Sequence, residues 1–324
     1  MTTWGERVAA PILAATAAAW WGYALVVLQP RLEAELAGLA SVGNNAYWAR
    51  EARWSMILLV LVAVVWSCRG DRVRSAIGTA GALAWIGVDT WLDRIDLAAP
   101  TWQVTVPAGV AAAACIAAAI GRPHHDRTVL VPAASVAASS AAFVGAIQSP
   151  TDTEPGLLWS GYLGAGLSIA LTLGCAASAA PGRPGQRAVA AAALVVCAAL
   201  VFLMWRSFPG EPAAGWAAPP LAIILLWTVL IRVWTPPGGL LGHALALPAV
   251  AVATLIAGCL LVPLVILNLG APFTALAGNP PVNGADSDTL NSALSVLVGL
   301  AAGTSFNLLA SRSPRTPAGA FEPA

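Results

Sequence analysis

Charge is so sparse along this chain that predominantly apolar runs of about twenty residues recur ten times, and about twenty such residues make one helical crossing of a bilayer. The runs fall at 8–28, 50–68, 75–96, 102–121, 128–148, 157–179, 187–206, 218–235, 240–269 and 288–310. Only 10% of the 324 residues are charged, against about 25% in a soluble domain. That deficit excludes a soluble enzyme, a secreted disulfide scaffold and a nucleic-acid binder together. It predicts an all-α, polytopic transmembrane helix bundle of about ten spans. The first run is about 21 residues long, beyond the 7–15 apolar residues of a cleavable signal peptide, and reads as a retained helix. Connections are mostly short, so residues 1–311 read as a single integral membrane domain. Residues 312–324, rich in Pro, Ala and Ser, read as a disordered cytoplasmic tail.

All sixteen basic residues are Arg, and their distribution sets the expected orientation, because cytoplasmic loops carry the basic excess. With the N-terminus inside, eleven Arg fall in cytoplasmic segments, from Arg7 and the Arg69–Arg74 loop to Arg312 and Arg315. Eleven of the fifteen acids fall on the other side, giving about +7 inside and about −6 outside. Both termini are then cytoplasmic, as an even number of spans requires, in a multi-pass protein of the cell membrane. Trp48, Trp54, Trp91, Trp102, Trp159, Trp205 and Trp216 sit near expected outer boundaries, where indole rings anchor helices at headgroup level.

The most informative charges lie in the outer half of the third run. Asp89, Asp93 and Asp96 follow i, i+4, i+7 spacing and project from one helical face, with Trp85 one turn deeper. Asp89 sits about 10 Å inward of Asp96 at 1.5 Å per residue. An Asp at such depth is costly and requires a partner or a wet cavity. The short loop at Arg69–Arg74 makes the second and third runs antiparallel neighbours. Arg50 and Arg53, one turn apart, can therefore reach Asp89 or Asp93 in charge-assisted pairs, while Arg94 points elsewhere. Three carboxylates against two guanidinium groups imply a slightly acidic outer vestibule, or else an interhelical ion-pair clasp.

Other features carry less chemistry. Cys68, Cys115, Cys175, Cys197 and Cys259 are scattered singletons without a CxxC, and read as buried apolar residues. His124 and His125 share a short loop with Asp126, and His243 stands alone, so no metal site is expected. Walker, GxSxG and HExxH motifs are absent, and no Lys is present for a Schiff base. No catalytic residue and no cofactor are therefore assigned. Ser295, Gly299, Gly303 and Asn307 recur every four residues, a small-residue stripe suited to close helix packing or homodimerisation. Pro248 and Pro263 suggest a break in the long ninth run. In the connection 29–49, Pro30, Leu32, Leu36 and Leu39 suggest a short interfacial helix. The connection 271–289, with Asn279-Pro280-Pro281 and Asn283-Gly284, suggests an ordered loop or re-entrant cap.

Ten spans in about 320 residues, both ends inside, is similar to the drug/metabolite transporter superfamily of permeases, and Trp20-Trp21-Gly22 resembles that family's first helix. The resemblance implies two five-helix inverted repeats. Residues 1–156 and 157–324 show no alignable self-similarity, however, and the long connection 29–49 departs from that pattern. Three functions fit the sequence. One is a secondary permease for a small molecule. Another is an accessory or assembly subunit of a cell-envelope complex. The third is a membrane-embedded enzyme acting on lipid-linked substrates at the outer leaflet, with Asp89 or Asp93 as base. The expected partners are the lipid bilayer, a small-molecule substrate, and a membrane-protein partner or second copy, with no nucleic acid.

Overall fold

The computed structural model describes residues 4–36, 43–95, 102–121, 123–145, 155–180, 182, 184–206, 213–234, 239–266, 271–278 and 290–312. Every element among them is helical. The helices are α1 (Trp4–Tyr23), α2 (Gln29–Leu36), α3 (Gly43–Ser67), α4 (Arg72–Arg94), α5 (Trp102–Ala119), α6 (Arg127–Gly145), α7 (Pro155–Ala179), α8 (Pro184–Arg206), α9 (Ala213–Val233), α10 (Leu240–Ile266), α11 (Ala271–Ala277) and α12 (Leu290–Arg312). Among the described residues, five stretches are long and apolar enough to cross a membrane: Arg7–Leu32, Arg127–Gly145, Pro155–Ala179, Pro184–Met204 and Asn291–Arg312. Three further helices are apolar over a shorter length. The chain is thus an all-helical, membrane-type protein.

The first helix does not end where its apolar run ends. A π-helical turn, Ala24–Leu28, joins α1 directly to α2, so the helix runs on through Pro30. Proline has no N–H for the carbonyl four residues back, and its ring crowds that carbonyl. A wider turn before it relieves both problems. The interfacial helix expected from Pro30 onward is therefore a continuation of the first span, and Leu32 is fully buried within the bundle. Beyond it, α3 begins at Gly43 rather than near Arg50. Arg50 and Arg53 consequently lie about 10 and 15 Å along the helix, at 1.5 Å per residue. The ninth run is also unbroken over its described residues, since α10 passes through Pro248 as one helix from Leu240 to Ile266. In the connection 271–289, α11 occupies the first part, and the Asn-Pro-Pro and Asn-Gly segments lie outside the described residues, as does the tail from 313.

α6 is the centre of the bundle. Its Ala- and Ser-rich sequence keeps its surface thin, and it packs on α7, α12, α9 and α3. The closest approach is to α12. A Cβ added at Gly299 would lie 2.3 Å from Val136 Cα, and one at Gly303 would lie 2.4 Å from Pro132 Cα. Ser295 is buried on the same stripe, and Asn307 Nδ2 donates to the carbonyl of Thr128 at 3.0 Å. The stripe from Ser295 to Asn307 is thus the seam with α6, which leaves Gly299 and Gly303 no free face for a second copy.

α4 is built the other way round. Its buried residues are Ser75, Asp89, Thr90 and Asp93, all polar, while Val73, Ile77, Leu83 and Trp91 on its outer side are 58–70% exposed. It packs chiefly on α3 and α11. A soluble helix hides its apolar stripe. This one turns that stripe outward, as suits lipid, and its polar stripe inward.

At the end of α4 nearer its start, several Arg side chains cap helix C-termini. Arg74 Nη1 donates to the carbonyls of Ala118 and Ile120 at 2.6 and 2.7 Å. Arg232 donates to Ala180 O at 3.2 Å, and Arg127 to Val233 O at 3.4 Å. These carbonyls carry the negative end of each helix dipole. Part of the Arg surplus in these loops therefore has a local structural role. Asp71 N-caps α4 by accepting from the Arg74 N–H at 3.1 Å, and it also accepts the His124 N–H at 3.0 Å. These two N–H groups hold its carboxyl below the ordinary carboxylate value.

Candidate functional site

Arg50 and Arg53 on α3, one turn apart, face Asp89 and Asp93 on α4, also one turn apart. The four side chains form a continuous network. Arg53 grips Asp89 as a fork, Nε to Oδ1 at 2.7 Å and Nη2 to Oδ2 at 3.3 Å. Its Nη2 also lies 3.2 Å from Asp93 Oδ2. Arg50 donates to that same Oδ2 from Nε at 3.1 Å and from Nη2 at 3.0 Å. All four side chains are fully shielded from solvent.

Neighbouring helices complete the shell. Trp21 of α1 donates its Nε1–H to Asp89 Oδ1 at 2.8 Å, and Trp54 of α3 donates to Oδ2 at 2.9 Å. Asp89 thus receives four hydrogen bonds, the full complement of a carboxylate. Gln29 of α2 accepts from Arg53 Nη1 at 2.6 Å, and Thr274 of α11 accepts from Arg50 Nη1 at 3.0 Å. The helix that continues past the π turn is what carries Gln29 to Arg53. Trp85 stacks edge-on against Trp21 at 5.1 Å, and Phe273 against Trp54 at 4.6 Å, closing the network from either side. One oxygen stands apart: Asp93 Oδ1 is buried and has no hydrogen-bond partner among the described residues.

Of the two arrangements expected from the sequence, Arg50, Arg53, Asp89 and Asp93 form the interhelical ion-pair clasp, whereas the acidic vestibule also required Asp96. Two guanidinium groups meet two carboxylates, so the described network is neutral, and it is closed. Asp96 lies outside the described residues. Glu51, beside Arg50 in sequence, turns to α12 instead. It accepts from Ser292 N at 2.7 Å, Ser292 Oγ at 2.6 Å and Asn291 N at 3.3 Å, capping the positive end of that helix. Arg94 also points away, donating to Leu276 O at 3.2 Å.

Sequence spacing brings out the four charges but not their neutral partners. Trp54 counts there as an interfacial anchor, yet it is 7% exposed and its N–H belongs to Asp89. Its position i+1 from Arg53 and i+4 from Arg50 is the one local signal. Gln29, the lone amide at the end of the first apolar run, is a second. Thr274 has no local signal at all. Elsewhere, His243 sets its ring nitrogens against the carbonyls of Gly239 and Trp234 at 2.9 and 2.6 Å. His125 Nε2 lies 2.8 Å from Ser178 O. Among the described residues, no group of three or more His, Cys, Asp or Glu side chains is placed to hold a metal ion.

Compared with protein-family models, with curated proteins and with solved structures, the chain matches none.

Proposed function

We propose that this protein is a multi-pass secondary permease of the cell membrane. In this reading about ten helices cross the bilayer, both termini are cytoplasmic, and the Arg50–Arg53–Asp89–Asp93 network latches α4 closed on the outer side. The observation that carries the proposal is α4 itself, a peripheral helix whose buried residues are all polar. A buried ion-pair network is poor value as a mere fastener, since apolar residues of similar volume hold helices as well or better. Charges that separate into water when a helix moves are suited to a latch.

Four serine hydroxyls lend further support. Ser135, Ser139 and Ser140 on α6 and Ser168 on α7 are buried in the central helices without hydrogen-bond partners among the described residues. Such groups favour a pathway that is hydrated in another conformation. An accessory-subunit reading is favoured by the neutrality and closure of the network, as a static clasp would have. The enzyme reading gains nothing from the geometry, because both carboxylates are engaged by Arg.

Access to the centre separates the two readings. In a variant with the five native cysteines replaced, Ser139→Cys is expected to react with a membrane-impermeant maleimide from either face of oriented vesicles, as alternating access requires. Protection from both faces, with the protein folded, would leave the static subunit.

A further inference from the structure

Beside the network, on the far side of Trp54 and Phe273, two openings adjoin and share three lining residues, so that we read them as one groove. The larger, about 500 Å³, lies between α3, α4 and α12 and is lined by Leu58, Leu83, Val296 and their apolar neighbours. The second, about 440 Å³, continues along α4 past Gly87 and Thr90 to Arg94 and shares Leu83, Ile86 and Phe273 with the first. The hydroxyls on the walls are already engaged: Thr79 donates to Ser75 O, Thr90 to Ile86 O and Ser292 to Glu51. Among the described residues, Arg94 is the only charged one lining either opening.

We infer that this groove binds an anionic phospholipid, with one acyl chain along α4 and the headgroup phosphate on Arg94. An apolar groove open sideways in a bilayer is filled by acyl chains, and charge complementarity selects the headgroup. The single cation sits at one end, and the nearby carboxylates Asp89 and Asp93 are buried and neutralised by Arg53 and Arg50. A zwitterionic headgroup would bring a cation that meets no carboxylate among the described residues of the groove walls. The distance along α4 from Arg94 to Thr79 is about 22 Å at 1.5 Å per residue. That is enough for a chain reaching from headgroup level through one leaflet, about half of a 30 Å core. Gly87 leaves the middle of the groove open, since a Cβ there would meet nothing within 4 Å. The inference rests on the chain lying in a bilayer and not on transport.

The test is native mass spectrometry of the full chain in detergent, titrated with dioleoylphosphatidylglycerol and dioleoylphosphatidylcholine. The first phosphatidylglycerol is expected to bind about fivefold more tightly, the worth of one basic side chain at a membrane surface. Arg94→Gln removes the preference and Arg94→Lys keeps it. Gly87→Leu puts apolar bulk into the groove from a position where the Cβ itself meets nothing within 4 Å, so it lowers occupancy by both lipids while the thermal unfolding midpoint does not fall. Equal binding of the two lipids to the wild-type chain, or undiminished binding to Gly87→Leu, overturns the inference even if Arg94→Gln fails to fold. Displacement of the lipid by glycerol phosphate alone also overturns it, by making the site one for a free phosphate.

Discussion

Asp89→Asn is expected to destabilise the protein by about 3–5 kcal/mol, the cost of removing one partner from a buried ion pair. Arg53 would keep its charge in a site with no solvent access. Its fork onto Asp89 would face an amide, and one of the Trp21 and Trp54 N–H donors would lose its acceptor. Replacing all four charges together, as Arg50→Met, Arg53→Met, Asp89→Leu and Asp93→Leu, is expected to recover most of that loss, because no charge is left buried alone. The two indole N–H groups and Thr274 then lack partners, so recovery is incomplete. Thermal unfolding in detergent, followed by Trp fluorescence, measures both. A single variant no less stable than the wild type would mean that the network is hydrated.

The second large effect belongs to the seam between α6 and α12. Gly299→Ala is expected to cost about 1–3 kcal/mol as overpacking. Its Cβ would meet backbone atoms, Val136 Cα at 2.3 Å and N at 2.5 Å, and no rotamer change relieves a clash with backbone. Gly303→Ala meets Pro132 Cα at 2.4 Å and N at 2.8 Å and should behave alike. Gly87→Ala is the control. It meets nothing, and an alanine within a helix is preferred over glycine by roughly 0.5–1 kcal/mol, so stability should hold or rise. If Gly299→Ala left the unfolding midpoint unchanged while abolishing a dimer, the stripe would be an interface between copies.

How far the sequence could be read depends on whether a feature is local. Arg50, Arg53, Asp89 and Asp93 stand out because ionisable residues are rare in apolar runs, and helical spacing with a short loop suffices to oppose them. The stripe from Ser295 to Asn307 is legible as a close-packing face for the same reason, although nothing in it names α6 as the partner. The clasp is legible as one of two arrangements, but its full burial is not. The vestibule reading placed Arg50 at a helix end, whereas α3 begins at Gly43 and carries the charges inward. Gln29 required a helix to continue through Pro30, which the turn rules disfavour and the π turn permits. Thr274 comes from an element more than two hundred residues distant in sequence, and only the folded chain brings it to Arg50.

The central claim is that α4 is a latch held by a neutral, buried network that can open. Spin labels on cysteines replacing Trp91 of α4 and Leu297 of α12, both lipid-facing at 58% and 46% exposure, report the gap between those helices by double electron–electron resonance. In liposomes the latch predicts two distances in the wild-type chain, with Asp93→Asn raising the longer one. A single narrow distance, unchanged by Asp93→Asn in a folded protein, would contradict it.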